Sequence, residues 1–345
     1  MNLSILVPTM NRHFFCRRLI NYYKNINFKG QLFILDSSDQ ENADKNYKFI
    51  KGYNDISINY INEKASAFVI QKNIASEIKT DYVTYCGDDD YFLISGMKSI
   101  ISFLEKNNEF IGANGESYNI VCDGKFSEKI LLTYPWIQTS RLEESSFDRL
   151  KFQIKNYTVP VFSIFRKNYY LKMLNSVPTL EEVKNLCPDK EICDELIPAF
   201  TLASYGKIAS LPNIHLFRTL HNQKFYKQSY FLKREKNNQK KENFSKSFHY
   251  LENILSKLQL DIEKKPISKT QSMINDAFLK NRRNITIKKK INLIKKYIFF
   301  IYKIYNYFKF KAQNSSIESF LKQYNFKSQN NEIALIYKSI KNIDI

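Results

Sequence analysis

Four short apolar runs, each closing on polar residues and followed by helix-like sequence, constrain the fold of this chain more than any other feature. They are 3–9 (LSILVPT), 31–38 (QLFILDSS), 56–62 (ISINYIN) and 81–87 (DYVTYCG). Runs of this length, rich in β-branched and aromatic residues and bounded by turn formers, read as strands. Between the first two, RHFFCRRLINYYKN carries apolar residues at helical spacing, and ASAFVIQKNIASEIKT reads as a helix ahead of the fourth. Strands alternating with helices predict βαβ units and a parallel sheet. In such sheets ligands bind outside the carboxyl ends of the strands. Three polar clusters fall at those ends: Pro8-Thr9-Met10-Asn11-Arg12, Asp36-Ser37-Ser38 and Asp88-Asp89-Asp90. One shared site at the sheet edge is the expectation.

The three adjacent aspartates need an explanation, because neighbouring carboxylates repel. Helix capping is the plain one, with LISGMKSIISFLEKN as the helix, although a cap uses one aspartate rather than three. A calcium loop would need the EF-hand spacing and its distal Glu, which are missing. A divalent metal held by one or two carboxylates and shared with substrate phosphates suits a D-x-D at a strand end. The glycine-rich phosphate loops are absent, and the chain has only eight glycines. Any phosphate bound here must be held by a cation or by basic side chains.

Length and composition set the frame. The 345 residues are 43% hydrophobic and include 27 Phe and 23 Tyr, enough for a sizeable core. The N-terminus lacks the pattern of a signal peptide, and no apolar stretch is long enough for a clear transmembrane helix. Five cysteines with no C-x-x-C pair argue against a disulfide framework or zinc site and for a reducing cytosol. The net charge of +19 is uneven: residues 231–311 hold 21 Lys and Arg against 6 Asp and Glu. Residues 112–230 read as mixed: helices at RLEESSFDRLKFQIKN and EICDELIPAFTLASYGK, a strand at TVPVFSIFRK, and a strand then polar loop at IASLPNIHLFRTLHN. From 231 the sequence turns polar, lysine-rich and helical. Within it, 288–311 puts Asn292, Lys295, Lys296, Lys303 and Asn306 on one helical face against Ile, Phe and Tyr. That suits an anionic membrane surface, or packing of the aromatic face on the rest of the chain. A nucleic-acid partner is disfavoured, since no recognition motif accompanies the charge.

LSILVPTMNR, LFILDSSD and IQKNIASEIKTDYVTYCGDDDYF, in that order, resemble the nucleotide-binding half of family-2-like GT-A glycosyltransferases. The resemblance covers residues 1–110 and, loosely, 155–225. It implies an α/β, Rossmann-like, mostly parallel sheet flanked by helices. The GT-A domain would span 1–230, with a nucleotide-binding half at 1–110 and an acceptor half at 111–230. A basic α-helical region would follow at 231–345. It further implies a UDP-, GDP- or CMP-linked sugar donor, Mn²⁺ or Mg²⁺, and a glycan or lipid-linked acceptor hydroxyl. Work in bacterial surface polysaccharide synthesis, at the inner face of the cytoplasmic membrane, would fit.

By the same resemblance Pro8, Thr9, Asn11 and Arg12 would line the base and ribose pocket, and Asp36 would bond base or ribose. Lys72 and Asn73 would lie near the diphosphate. Asp88 would face the ribose, with Asp89 beside it, and Asp90 would ligate the metal with Asp88 assisting. His221 of LFRTLHN would reach metal or diphosphate, although Arg218 and His221 stand one residue further apart than in the family's R-x-H loop. CDELIPAFTLASYGKI resembles the segment that carries an acidic pair in inverting members, here Asp194-Glu195. Position in that pair favours Glu195 as the base, while the helical stripe of Leu196, Phe200 and Ala203 favours Asp194. For each of these residues ordinary turn, cap or surface chemistry is the simpler reading. Two rivals remain for the chain as a whole. One is a sugar nucleotidylyltransferase, which would need a glycine-rich N-terminal loop. The other is a non-catalytic basic module binding membrane or nucleic acid.

Overall fold

In a computed structural model the four runs form β1 (Leu3–Thr9), β2 (Gln31–Asp36), β3 (Ser57–Asn62) and β4 (Tyr82–Tyr85), all mutually parallel in the order β3-β2-β1-β4. The structure describes residues 1–53, 56–123, 129–221, 238–278 and 329–341. Helices α1 (His13–Asn25), α2 (Gln40–Ile50) and α3 (Ala67–Asn73) connect the strands. Leu3, Ile5, Leu6 and Val7 of β1 are all fully buried. Helices therefore cover both faces of this central strand, which is why it reads as an unbroken apolar run rather than an alternating one.

The second half extends the sheet with mixed direction. After β5 (Tyr91–Phe92) and α4 (Ile94–Lys106) come β6 (Phe110–Asp123), β7 (Lys129–Trp136), α5 (Ser146–Lys155), β8 (Ile164–Arg166), α6 (Lys167–Ser176) and α7 (Leu180–Asn185). A π-helical turn, Ile192–Leu196, runs into α8 (Ile197–Tyr205), and β9 (Lys207–His221) follows. The nine-stranded sheet has the order β3-β2-β1-β4-β8-β6-β9-β5, with β7 on β6. Strand β8 is antiparallel to both β4 and β6, whereas β6 and β9 are parallel. The stretch TVPVFSIFRK, read from sequence as one strand, is a 3₁₀ turn at Pro160–Phe162 followed by the three-residue β8. Proline at the start of that turn removes the N–H a ladder would need.

Two glycines let the halves close. A Cβ on Gly96 of α4 would come within 2.3 Å of the Ile214 carbonyl oxygen, and one on Gly115 of β6 within 2.1 Å of the Asn213 carbonyl oxygen. Strand β9 thus passes closer to its neighbours than any side chain would allow.

Described parts of the basic region pack against this sheet and its helices. Helix α9 (Asn238–Glu263) and a helix over residues 267–278, α10, enclose a second apolar cluster with α5, α8 and the π turn. Leu251, Leu255 and Ile274 are fully buried in it, and Gln259 Nε2 bonds the hydroxyls of Ser146 (2.8 Å) and Ser204 (3.2 Å). Helix α11 (Asn330–Lys341) lies on α1, with Ile333, Ile336 and Ile340 fully buried. Its Glu332 accepts bonds from the Ser95 backbone N–H and hydroxyl, placing a carboxylate on the positive end of α4. The amphipathic stretch 288–311 lies outside the described residues. Among the described residues no helix is long and apolar enough to cross a membrane, and all five cysteines are buried, with no disulfide among the described residues.

Candidate active site

The carboxyl ends of β1 and β4 lie side by side, because β1 pairs β4 in parallel register from Leu3 with Tyr82 to Leu6 with Tyr85. This carries the loop after β1 to the aspartates after β4. Thr9 Oγ1 donates to Asp88 Oδ2 at 2.8 Å. The Arg12 guanidinium forks across two carboxylates, with Nη1 3.0 Å from Asp88 Oδ1 and Nη2 2.5 Å from Asp89 Oδ2. The Arg12 cation also lies over the Phe15 ring, 4.3 Å from its centroid.

Strand β9 closes the other side. Pairing of Tyr91 with Phe217 and Phe92 with Leu216 draws the aspartate turn against the strand's last residues. The Thr219 backbone N–H donates to Asp90 Oδ1 at 3.1 Å, and its hydroxyl donates to the Asp89 carbonyl at 2.6 Å. His221 Nε2 lies 3.1 Å from Asp89 Oδ2 and 2.8 Å from the Thr219 hydroxyl. Arg218 Nε stands 3.8 Å from Asp90 Oδ2. Its guanidinium lies against the rings of Trp136 (4.3 Å) and Phe162 (4.9 Å), which themselves pack edge to face. IASLPNIHLFRTLHN, expected as a strand ending in a polar loop, is therefore a strand as far as His221. The strand fixes Arg218, Thr219 and His221 rigidly.

The aspartates are not a helix cap. Helix α4 begins after β5, its N-cap is Leu93, and the carboxylate at its first turn is Glu332 rather than any of the three aspartates. Instead Gly87–Asp90 forms a tight turn, with Asp90 N–H bonded to the Gly87 carbonyl. A side chain at Gly87 would meet Asp90 Oδ2 at 2.8 Å.

Burial divides the three carboxyls. Asp88 is 3% and Asp90 4% exposed. Burial pushes Asp88 up to about 8 and Asp90 up to about 7, with the neighbouring Asp89 charge adding to both. Asp89 moves the other way: burial raises it, but the His221 and Arg12 bonds outweigh this and hold it below the usual carboxylate range. Arg12 and His221 thus favour the ionised form of Asp89 over those of its two neighbours. Asp90 is the least engaged, since its Oδ2 faces Arg218 only at 3.8 Å. Oxygen donors of this kind suit a hard divalent cation, although among the described residues no group of three or more His, Cys, Asp and Glu is placed to hold a metal ion.

The remaining expected residues separate into two groups. Asn11 takes a left-handed backbone (φ 54°) and ties the two loops together: its N–H donates to Ser38 Oγ at 2.7 Å, and its Oδ1 accepts from Asp39 N–H at 2.8 Å. Pro8 pairs with Leu35 inside the sheet. Asp36 is fully buried and engaged by the Ser38 N–H (2.8 Å), Asn46 Nδ2 (2.7 Å) and the Tyr60 hydroxyl (2.8 Å). That bonding braces the second loop from within. Lys72 and Asn73 are not drawn to the aspartates: Lys72 Nζ donates to the Val177 carbonyl at 2.7 Å, and Asn73 Nδ2 to Glu63 Oε1 at 2.7 Å.

Asp194 and Glu195 sit on the π turn, a helical irregularity frequent at functional sites. The extra residue in that turn separates their roles. Glu195 Oε1 accepts from the Tyr157 hydroxyl at 2.7 Å. Asp194 Oδ1 is buried without a hydrogen-bond partner among the described residues. Burial raises the Asp194 carboxyl, opposed by a bond from Ser66, the Lys190 charge and a bond from Cys193. Tyr85, at the end of β4, links the two acidic groups: burial raises its phenol, and Asp194, Asp88 and Asp90 all add to the shift. Its ring is stacked on Phe68 at 5.6 Å. The sequence marks Arg218 only as the arginine of the R-x-H-like loop and gives no signal for Trp136 and Tyr85. Only their place beside the aspartates distinguishes them from core aromatics and a surface arginine.

No protein-family model matches the sequence, and no curated protein matches it. Solved structures with a similar chain course include S. aureus TarS residues 1–349, at 11% identity and a TM-score of 0.49 over 100% of this chain and 90% of that one. The same protein in complex with UDP-GlcNAc gives 11% identity and 0.48 over 100% and 90%. A mannosyltransferase, PcManGT from Pyrobaculum calidifontis, in complex with GDP-Man and Mn²⁺, gives 10% and 0.44 over 98% and 86%.

Proposed function

We propose that this chain is a glycosyltransferase that moves a sugar from a nucleoside-diphosphate donor to an acceptor hydroxyl with inversion. One observation carries the reading. Buried carboxylates at the end of β4 are ringed by Arg12, Arg218 and His221, and a further buried carboxylate, Asp194, whose Oδ1 has no hydrogen-bond partner among the described residues, acts on the same Tyr85 phenol. With no glycine-rich phosphate loop in the sequence, these side chains are what a diphosphate would meet.

Asp90, with Asp88, would hold Mn²⁺ or Mg²⁺, which bound there supplies charge neutralisation for the departing diphosphate. The chain's own groups account for the rest. Arg218, held against two rings, presents its cation beside Asp90 and toward a phosphate. Arg12 is pinned by the carboxylates and orders the β1 loop against which the nucleoside would lie. Asp194 accepts the proton of the acceptor hydroxyl as its oxygen bonds to the anomeric carbon. The bond from that carbon to the phosphate oxygen breaks, and its electron pair leaves with the diphosphate. A carboxyl raised by burial lies nearer working pH and is the better general base. A glycan or lipid-linked acceptor at the inner membrane face, in surface polysaccharide synthesis, fits the basic region.

Turnover of UDP-, GDP- and CMP-linked sugars, with Mn²⁺ and with a chelator, tests the reading. The expected result is release of one free nucleotide that depends on the metal. No release from any donor under either condition would overturn it.

A further inference from the structure

Away from the candidate active site, a cavity of about 480 Å³ lies between α5 and α10. Phe147, Lys151 and Lys155 of α5 form one wall, and Lys269, Met273 and Asp276 of α10 the other. Spacings of three and four put each set on one face of its helix. The neighbouring stripe of α5, with Leu150 and Ile154 buried, packs into the second apolar cluster. The lysine stripe is therefore what that packing turns outward, beside α10, and Lys155 and Lys269 stand exposed at the mouth of the cleft.

The chemistry of the walls is specific. None of Lys151, Lys155 and Lys269 forms an ion pair with a described residue. Lys265 and Lys269 flank the Phe147 ring at 5.8 and 6.0 Å. Gathering lysines around one cleft with a single acid, Asp276, gives the cleft a local excess of positive charge. An anion relieves it. The volume lies within the range of small-ligand sites, roughly 300–1,000 Å³, so it suits one discrete group rather than a flat polyanion. Ammonium groups bind phosphate as point charges, and the floor of Phe147, Met273 and Ala277 is apolar.

We infer that this cleft binds a phosphate group carried on an apolar body, either a phospholipid headgroup or a soluble phosphate ester. The inference rests on the cleft alone and stands whether or not the catalytic reading holds.

The test uses the full chain and two substituted forms. One carries Lys151→Gln, Lys155→Gln and Lys269→Gln. The control carries Lys48→Gln, Lys51→Gln and Lys79→Gln, three exposed lysines in the nucleotide-binding half. Calorimetry measures hexyl phosphate and inorganic phosphate, and flotation measures vesicles of phosphatidylglycerol against phosphatidylcholine. Wild type and control are expected to bind hexyl phosphate more tightly than inorganic phosphate, or to bind phosphatidylglycerol vesicles. The cleft form should lose about fivefold per lysine, roughly a hundredfold together. Binding to vesicles but not to hexyl phosphate identifies a headgroup; the reverse identifies a soluble ester. The inference fails if wild type binds neither probe, if the cleft form binds like wild type, or if both substituted forms weaken alike. It also fails if vesicles are not bound and inorganic phosphate binds as tightly as hexyl phosphate.

Discussion

Replacing His215 should make the protein more acid-resistant. His215 lies on β9, three residues before Arg218, fully buried, with its ring 4.6 Å from that of Phe92. Neither ring nitrogen has a hydrogen-bond partner among the described residues, and burial pushes the imidazole down to about 3. The unfolded chain would titrate this group near 6.5. Between those values the unfolded state holds the extra proton. The stabilisation is thus complete above about pH 6.5 and is lost as pH falls toward 3. From pH 6.5 to 5 the loss is about 2 kcal/mol, a large share of a typical stability of about 5–15 kcal/mol.

Asp88 and Asp90 act with the opposite sign. Their folded values, about 8 and about 7, lie above the carboxylate range, so protonation in the folded state favours the fold as pH falls. The wild-type pH curve therefore mixes both effects, and a difference measurement is needed. His215→Leu keeps a similar volume and removes the titration. Urea unfolding of both proteins near pH 7.5, 6.5 and 5 gives the difference directly. At neutral pH the change should be neutral or stabilising, because a buried imidazole without partners is replaced by an apolar group. Its relative advantage should then grow by about 2 kcal/mol by pH 5. A difference constant to within about 0.5 kcal/mol across this range would refute the reasoning, since it would mean that His215 is not held neutral by burial.

Asp90→Ala should abolish the Mn²⁺ dependence of nucleotide affinity measured by calorimetry; wild-type affinity that is equal with and without metal would remove the metal from the mechanism. Asp194→Asn should lower kcat by about 10² or more with donor KM little changed, and Glu195→Gln, whose carboxylate is already taken by Tyr157, should cost less. Near-wild-type turnover in both would exclude this pair as the base. Gly115→Ala puts a Cβ 2.1 Å from the Asn213 carbonyl oxygen and should cost about 1–3 kcal/mol or more, read as a fall in Tm. Leu255→Ala, fully buried between α9 and the helices beneath it, should cost about 2–5 kcal/mol. A change under about 0.5 kcal/mol there would mean that α9 does not share the cooperative fold.

The sequence by itself determined the parallel half of the sheet and where its polar ends would gather. Leu3–Thr9, Gln31–Asp36 and Tyr82–Tyr85 are strands because their apolar runs and closing turn residues are local signals, and their order dictates a shared carboxyl edge. Thr9, Arg12 and the aspartates meet for that reason alone. What the edge does with them was left to tertiary structure. Thr219 and His221 reach the aspartates across about 130 positions of chain, through a strand register that no local pattern encodes. Asp36 and the aspartates look alike in sequence, yet Asn46 and Tyr60 turn Asp36 inward. Asp194 and Glu195 were ambiguous on an ideal helix. The π turn inserts one residue into the backbone bonding and gives Glu195 to Tyr157 while leaving Asp194 Oδ1 buried without a partner among the described residues. Hydrophobic periodicity records which face is apolar, and it is too coarse to register a phase slip of a single residue.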